Sequence, residues 1–301
     1  MAEPPVRTAT AFAVATLGIA FFSAMDAVMK VLSLSLGTYN ALLWRTTAGA
    51  LIAAAFFFGA RSPWPGKAAM RVHLTRGLIG VPMALTFFWG LARVPMAQAI
   101  ALAFVAPLIA LYLAALLLGE KIERRSLLAS LLGFAGVLVI FWVQREADLG
   151  PDAFRGSISI LCSAALYGYN IILMRRQALL AKPTEVAFFT SGIMGGSFLL
   201  AAPFLADLPP PERGAEIVGA ALLAFSSLLL LSWAYARAEA QHLAPVEYTS
   251  FVWAALLGWL IFAEPVQHFT LAGAAMIVVA CLIAATRRAP PDPDVDSGVH
   301  A

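Results

Sequence analysis

Apolar residues in this chain run in long blocks separated by short polar stretches. Ten blocks can be counted, at 10–32, 39–60, 74–91, 95–118, 127–143, 158–174, 187–205, 217–236, 243–263 and 269–286. Each holds about 17–24 residues, the length a helix needs to cross a ~30 Å hydrocarbon layer. The short-period alternation of a membrane β-barrel is missing, so the blocks predict helices. The first block is too long for a signal-peptide core and carries Asp26, so it reads as a retained helix.

Composition agrees with this pattern. Of 301 residues, 61% are hydrophobic and 12% are charged, and the mean hydropathy is +0.84. A soluble domain is nearer half apolar and a quarter charged, so the surplus predicts a polytopic membrane protein. The basic residues then orient it. With the amino terminus in the cytoplasm, fourteen Lys and Arg fall in inner loops and tails, against Arg93, Arg145, Arg155 and Arg213 in outer ones. The inner set includes Arg76, Lys182 and Arg237. This asymmetry predicts that both termini are cytoplasmic. The net charge of +3 then reports topology and lipid contact, and nucleic acid is not an expected partner.

Several chemistries are not expected. Cys162 and Cys281 lie inside apolar blocks with no CxxC or Cys/His set, which predicts neither disulfide nor metal. There is no Walker-type loop, so direct ATP drive is not expected, nor is any other cofactor. The acidic, proline-rich tail APPDPDVDSGVHA reads as disordered.

The chain also meets itself under a constant shift of 144 residues. WGLAR at 89–93 falls on WAYAR at 233–237, Glu120 on Glu264, Leu127 on Leu271 and Leu138 on Leu282. Five helices per half is an odd number, so the second half must enter the membrane upside down. Inverted repeats recur in secondary transporters, which bind substrate near the midplane between the halves. The expected architecture is all-α integral membrane: ten transmembrane helices as two inverted five-helix repeats. The segments are a cytoplasmic tail (1–9), a first repeat (10–143), a periplasmic linker (144–157), a second repeat (158–286) and a disordered cytoplasmic tail (287–301).

PLIALYLAALLLGE at 107–120 and FVWAALLGWLIFAEP at 251–265 close corresponding helices. In this respect the chain resembles the EamA-type drug/metabolite transporter superfamily, over roughly residues 10 to 286. Pro107 and Glu120 keep the family's spacing, whereas Phe251 stands where the family usually has Pro. MDAVMK and PVEYTSFVWAALLGW resemble the amino-acid and metabolite carriers, S-adenosylmethionine-type transporters among them. The resemblance implies a transporter of small organic molecules in a bacterial-type inner membrane.

The polar residues inside the blocks are the candidate chemistry. Asp26 and Lys30 are four apart, share a helix face and can pair. The shift places Asn170 opposite Asp26. A charge at the bilayer centre costs about 2.5–3.5 kcal/mol on insertion scales, which argues for a cavity or a partner. Arg45 could contact an anion or Asp26, or could snorkel to the headgroups. Tyr167 lies one turn from Asn170 on a small, polar face. Glu247 follows Pro245 and either serves the helix start or takes a proton or a substrate amine. Tyr248 and Trp253 could wall the same cavity. Trp89 and Trp233 fit a cavity or an interfacial belt. Pro107, Glu120 and Glu264 are expected in structural or gating roles, with Pro82 and Pro203 as further bending points.

The leading expectation is a secondary transporter, not an enzyme, moving an amino-acid-like molecule, amine or related zwitterion by alternating access. Protons are a candidate coupling ion, and a homodimer is left open. A non-transporting scaffold is one rival. An embedded enzyme is another, although His73, His242, His268 and His300 are scattered near block ends and in the tail.

Overall fold

A computed structural model describes residues 8–118, 124–146, 150–235 and 246–285. Among the described residues the chain forms helices and turns, with no strand. The helices are α1 (Thr8–Leu36), α2 (Thr38–Gly59), α3 (Lys67–Leu91), α4 (Met96–Ala103), α5 (Ala106–Leu118), α6 (Arg124–Glu146), α7 (Gly150–Ala178), α8 (Pro183–Leu205), α9 (Gly214–Tyr235), α10 (Thr249–Phe262) and α11 (His268–Ala285). A single 3₁₀ turn, Pro211–Arg213, leads into α9. Six stretches are long and apolar enough to cross a membrane, and four shorter apolar helices fall on the remaining blocks.

Two boundaries differ from expectation. Helix α3 starts at Lys67, so Arg76 lies inside a helix and not in a loop. Helix α7 starts at Gly150, within the segment expected as a linker.

The outer surface explains the apolar surplus. Leu51, Phe58, Leu116, Trp142, Leu200 and Phe204 all stand out from the bundle. Exposed to water, such a surface would associate; against lipid tails it is at no disadvantage, and each helix satisfies its own backbone.

The fourth block is broken. Pro107 offers no N–H to the carbonyl of Ala103, so the ladder of hydrogen bonds ends there. Phe104 and Val105 form a turn, Val105 N–H reaching Leu102 O at 3.3 Å, and α5 resumes as Ile109 N–H bonds Val105 O at 3.1 Å. The second half is interrupted at the corresponding residue, Tyr248, although Phe251 replaces the proline. There Phe251 N–H bonds Tyr248 O at 3.2 Å, a tighter turn than the α-helix makes. Pro82 and Pro203 lie inside α3 and α8 without ending them.

The packing partners follow a rule. Helix α1 packs on α9, α3 on α7, α2 on α8 and α9, α3 on α8, α4 and α5 on α7, and α1 on α10. Helices α6 and α11 pack on each other, as do α4 and α10. Exchanging residues for their counterparts 144 positions away turns the α1–α9 contact into α3–α7, α2–α9 into α3–α8 and α5–α7 into α1–α10, and returns α2–α8 and α6–α11 to themselves. The counterpart of α4 lies mostly outside the described residues.

Close approach depends on small residues, because lipid gives helices no hydrophobic reason to associate. At the α6–α11 crossing a Cβ on Gly136 would lie 2.7 Å from Gly273 O, and one on Gly273 would lie 2.7 Å from Gly136 O. The two backbones therefore touch. Between α3 and α7, Ser159 and Ser163 hydroxyls donate to Thr86 O and Met83 O, each at 2.8 Å. The α1–α2 turn has Gly37 alone between the helices, at φ 77°, a region that L side chains resist.

Candidate functional site

Helix α1 carries Ser23, Asp26, Lys30 and Ser33 at spacings of three, four and three, which puts them on one face. All four are buried, Asp26 at 1% and Lys30 at 3% exposure. Neither carboxylate oxygen of Asp26 has a hydrogen-bond partner, and the hydroxyls of Ser23 and Ser33 also lack one. Arg45 of α2 is the charge that acts on Asp26. Its Nε is likewise buried without a partner. Leaving such groups unsatisfied costs about 1–3 kcal/mol each, more for charges. A concentration of them in one place fits a site that receives polar groups from a ligand or water.

Lys30 does not pair with Asp26 as expected. Its ammonium donates to Glu264 Oε1 at 2.5 Å and to Val94 O at 2.7 Å. It also stands 5.0 Å over the Phe262 ring. Spacing of four permits the Asp26 pairing, but Lys30's long chain reaches two acceptors at the end of the bundle. Glu264 is aimed there by Ala263, which takes a left-handed conformation at φ 52°. The second oxygen of Glu264 accepts Met96 N–H at 2.8 Å, at the start of α4. An acid is favourable at that end of a helix. One carboxylate from the second half thus holds α1 and α4 of the first.

The counterpart of Asp26, Asn170 on α7, is also buried. Its Oδ1 accepts Arg76 Nε–H at 3.1 Å. Arg76 Nη1 also donates to Gln177 Oε1. Gln177 Nε2 lies 2.7 Å from His73 Nδ1, and His73 Nε2 lies 2.9 Å from Glu185 Oε1. His73 and Gln177 are fully or nearly fully buried, and Glu185 is buried. The His73 ring stacks on Phe189 at 4.8 Å. The sequence reading missed His73, Arg76, Gln177 and Glu185 as a group. A signal did exist: His73 and Arg76 are three apart and Asn170 and Gln177 seven apart, each pair on one helix face.

Tyr167 is half-buried and lies within electrostatic range of both Arg76 and Glu247. Glu247 itself is exposed. Tyr248 meets Phe104 edge-on, ring centroids 5.3 Å apart. Trp253 and Trp233 instead pack on a small cluster of Ala11, Ala15, Ile19, Ala234 and Val246, which suits a helix contact better than a polar cavity wall. Trp89 carries the Arg93 guanidinium 3.6 Å from its ring centre. Glu120 lies outside the described residues. Among those described, no group of three or more His, Cys, Asp or Glu could hold a metal.

An all-helical bundle with an apolar surface and buried, unsatisfied charges defines a multi-pass membrane protein with polar sites inside. The model of the EamA-like transporter family matches residues 9–142 and again 154–286. The chain belongs to that family, and its class is transporter, not enzyme. It is 30% identical over 226 residues to a riboflavin transporter of Rhizobium johnstonii, covering 72% of each chain. A pseudopaline exporter of Pseudomonas aeruginosa is 25% identical, over 87% of this chain and 90% of its own. An S-adenosylmethionine uptake transporter of Rickettsia felis is 24% identical, over 88% and 89%. A crystal structure 21% identical in sequence matches with a TM-score of 0.60, covering 92% of this chain and 97% of its own, which speaks to the fold alone.

Proposed function

We propose that the protein is a secondary transporter that moves a small amine or zwitterionic metabolite across the inner membrane by alternating access. The observation that carries this reading is Asp26: a buried carboxylate with no hydrogen-bond donor from the protein, facing the charge of Arg45. An ammonium would satisfy the first group and a carboxylate the second. The set drawn from the sequence is retained in part. Asp26, Arg45, Tyr167, Asn170, Glu247 and Tyr248 bind substrate, Lys30 and Glu264 close one end of the bundle, and Trp253 packs helices.

The ten membrane blocks form two inverted five-helix repeats, a reading supported by the two family matches and by the helix contacts, such as α1–α9 and α3–α7, that exchange under the 144-residue shift. The basic asymmetry supports cytoplasmic termini, which places Lys30 and Glu264 at the outer end and His73 and Glu185 at the inner. Rocking of one half against the other then has to part Lys30 from Glu264.

The test is flux in proteoliposomes with a radiolabelled panel: amino acids, polyamines, S-adenosylmethionine and riboflavin, with and without a pH gradient. Saturable flux of a cationic or zwitterionic compound, lost in Asp26→Asn, is expected. Flux confined to riboflavin and indifferent to Asp26 would overturn the substrate class. The absence of flux for all compounds in both directions would favour the scaffold reading.

A further inference from the structure

Hydrogen-bond roles in the inner network are forced by chemistry. A guanidinium only donates, so the Gln177 atom facing Arg76 must be its oxygen. The other side of that amide, turned to His73 Nδ1 at 2.7 Å, must then be the NH₂. It donates, so Nδ1 is an unprotonated acceptor. The remaining ring nitrogen, Nε2, carries the hydrogen and donates it to Glu185 Oε1 at 2.9 Å. His73 is thus held as the neutral Nε2–H tautomer by a chain of donors that begins at Arg76. On its other side Arg76 holds Asn170.

We propose that His73 is a proton-binding site whose occupancy decides whether Arg76 stays tied to Gln177. A proton from solution that binds the Nδ1 lone pair creates a second N–H, aimed at the NH₂ of Gln177. Two donors then face each other out of reach of bulk water, since His73 is 0% and Gln177 2% exposed. Gln177 must turn its amide over to present oxygen to the ring. Its NH₂ then faces the guanidinium of Arg76, which cannot accept, and that bond is lost. Meanwhile the imidazolium gains a charged partner in Glu185. Protonation therefore shifts the attachment of α3 from Gln177 of α7 toward Glu185 of α8 and leaves Arg76 held by Asn170 alone.

Among the described residues, few other groups are placed to mask this effect. Facing His73, α7 contributes the neutral Gln177, and α8 contributes Glu185 and the Phe189 ring. Phe57 of α2 meets Phe189 edge-on. On α3 itself Arg76 is half-buried, whereas Lys67, Arg71 and the neighbouring Arg61 are exposed. Histidine is the side chain whose ordinary titration falls in the physiological range.

The proposal deepens the transport reading, because Asn170 is among the substrate residues named there. Its test does not depend on transport. Full-length protein in nanodiscs, labelled with ¹⁵N-histidine and ¹⁵N-arginine, reports the His73 tautomer and the Arg76 Nε–H together. His73 is expected as the Nε2–H tautomer at alkaline pH. On acidification it should become doubly protonated, and the Arg76 signal should shift with the same midpoint. His73→Gln should remove the pH response of Arg76. In Gln177→Glu the carboxylate accepts from both neighbours, so His73 should still protonate while Arg76 no longer responds. An Arg76 signal that stays fixed while wild-type His73 titrates overturns the proposal, as does a ring that carries its hydrogen on Nδ1 at alkaline pH. Flux supplies a separate arm: its pH dependence should be lost in His73→Gln with the alkaline rate kept. Coupled titration in a protein that moves nothing would sink the transport reading and leave the proton site standing.

Discussion

Phe104 and Tyr248 stand 144 residues apart in sequence and touch, their ring centroids 5.3 Å apart and their planes at 84°. Each sits at the interruption of its helix. Under the proposed inverted repeat, residues exchanged by the twofold can meet only near its axis, so this pair would mark where the halves face each other. Edge-to-face pairs contribute about 0.5–1.5 kcal/mol beyond buried area. A double-mutant cycle with Phe104→Leu and Tyr248→Leu should therefore give a coupling of about that size in thermal or denaturant unfolding. Additive effects would mean that the contact does no more than fill space.

Asp26→Asn conserves shape and imitates Asn170 at the equivalent position. Expression and detergent stability should survive. An ionic hydrogen bond to substrate contributes about 1.5–3 kcal/mol, so flux per folded molecule should fall ~10–100-fold. Full activity would make the buried carboxylate structural.

Lys30 and Glu264 should respond unequally to neutralisation. Removing the acid in Glu264→Gln leaves an ammonium buried at 3% exposure and weakens the acceptor of Met96 N–H. Breaking a fully buried pair costs about 3–5 kcal/mol. Because the Glu264 side chain is one-fifth exposed, about 2–3 kcal/mol is expected here. Lys30→Met should cost less, since Glu264 keeps Met96 N–H and its route to solvent. Melting of the two purified variants decides it, and equal losses would count against the asymmetric clamp.

At the α6–α11 crossing, Gly136→Ala places a methyl 2.7 Å from Gly273 O, a backbone atom that no rotamer change can move. A loss of about 1–3 kcal/mol is expected. Gly192→Ala meets nothing within 4 Å and should be neutral. Comparable melting temperatures for both would mean that the helices separate freely.

Topology has its own check. Lys182 and Pro210 are exposed at opposite ends of α8. Single cysteines there, in a background without Cys162 and Cys281, should label from the cytoplasmic and the outer side respectively. Labelling of Lys182→Cys from outside would reverse the orientation.

Much of this protein was legible in the chain itself. Hydrocarbon imposes one requirement, apolar length with internally bonded backbone, and the composition of each block records it directly. The 144-residue register was visible too, because WGLAR and WAYAR survive as matching strings. Burial of Asp26 followed from its place among apolar residues, and so did that of its counterpart Asn170.

Partnership was not legible. A spacing of four allows Asp26 and Lys30 to meet, but Lys30 is bound by Glu264, 234 residues away, and by a loop carbonyl. Those acceptors reach it only because α1, α4 and α10 come together at one end of the bundle. His73 looked peripheral because its block seemed to begin at Leu74; α3 in fact begins at Lys67, and His73 is covered by Gln177 of α7 and by Glu185 and Phe189 of α8. Hydrophobic pattern is a local property and decides which segments enter the membrane. Hydrogen bonds between polar side chains are long-range, and which ones form depends on the angle and depth at which whole helices pack, a choice that only the tertiary structure makes.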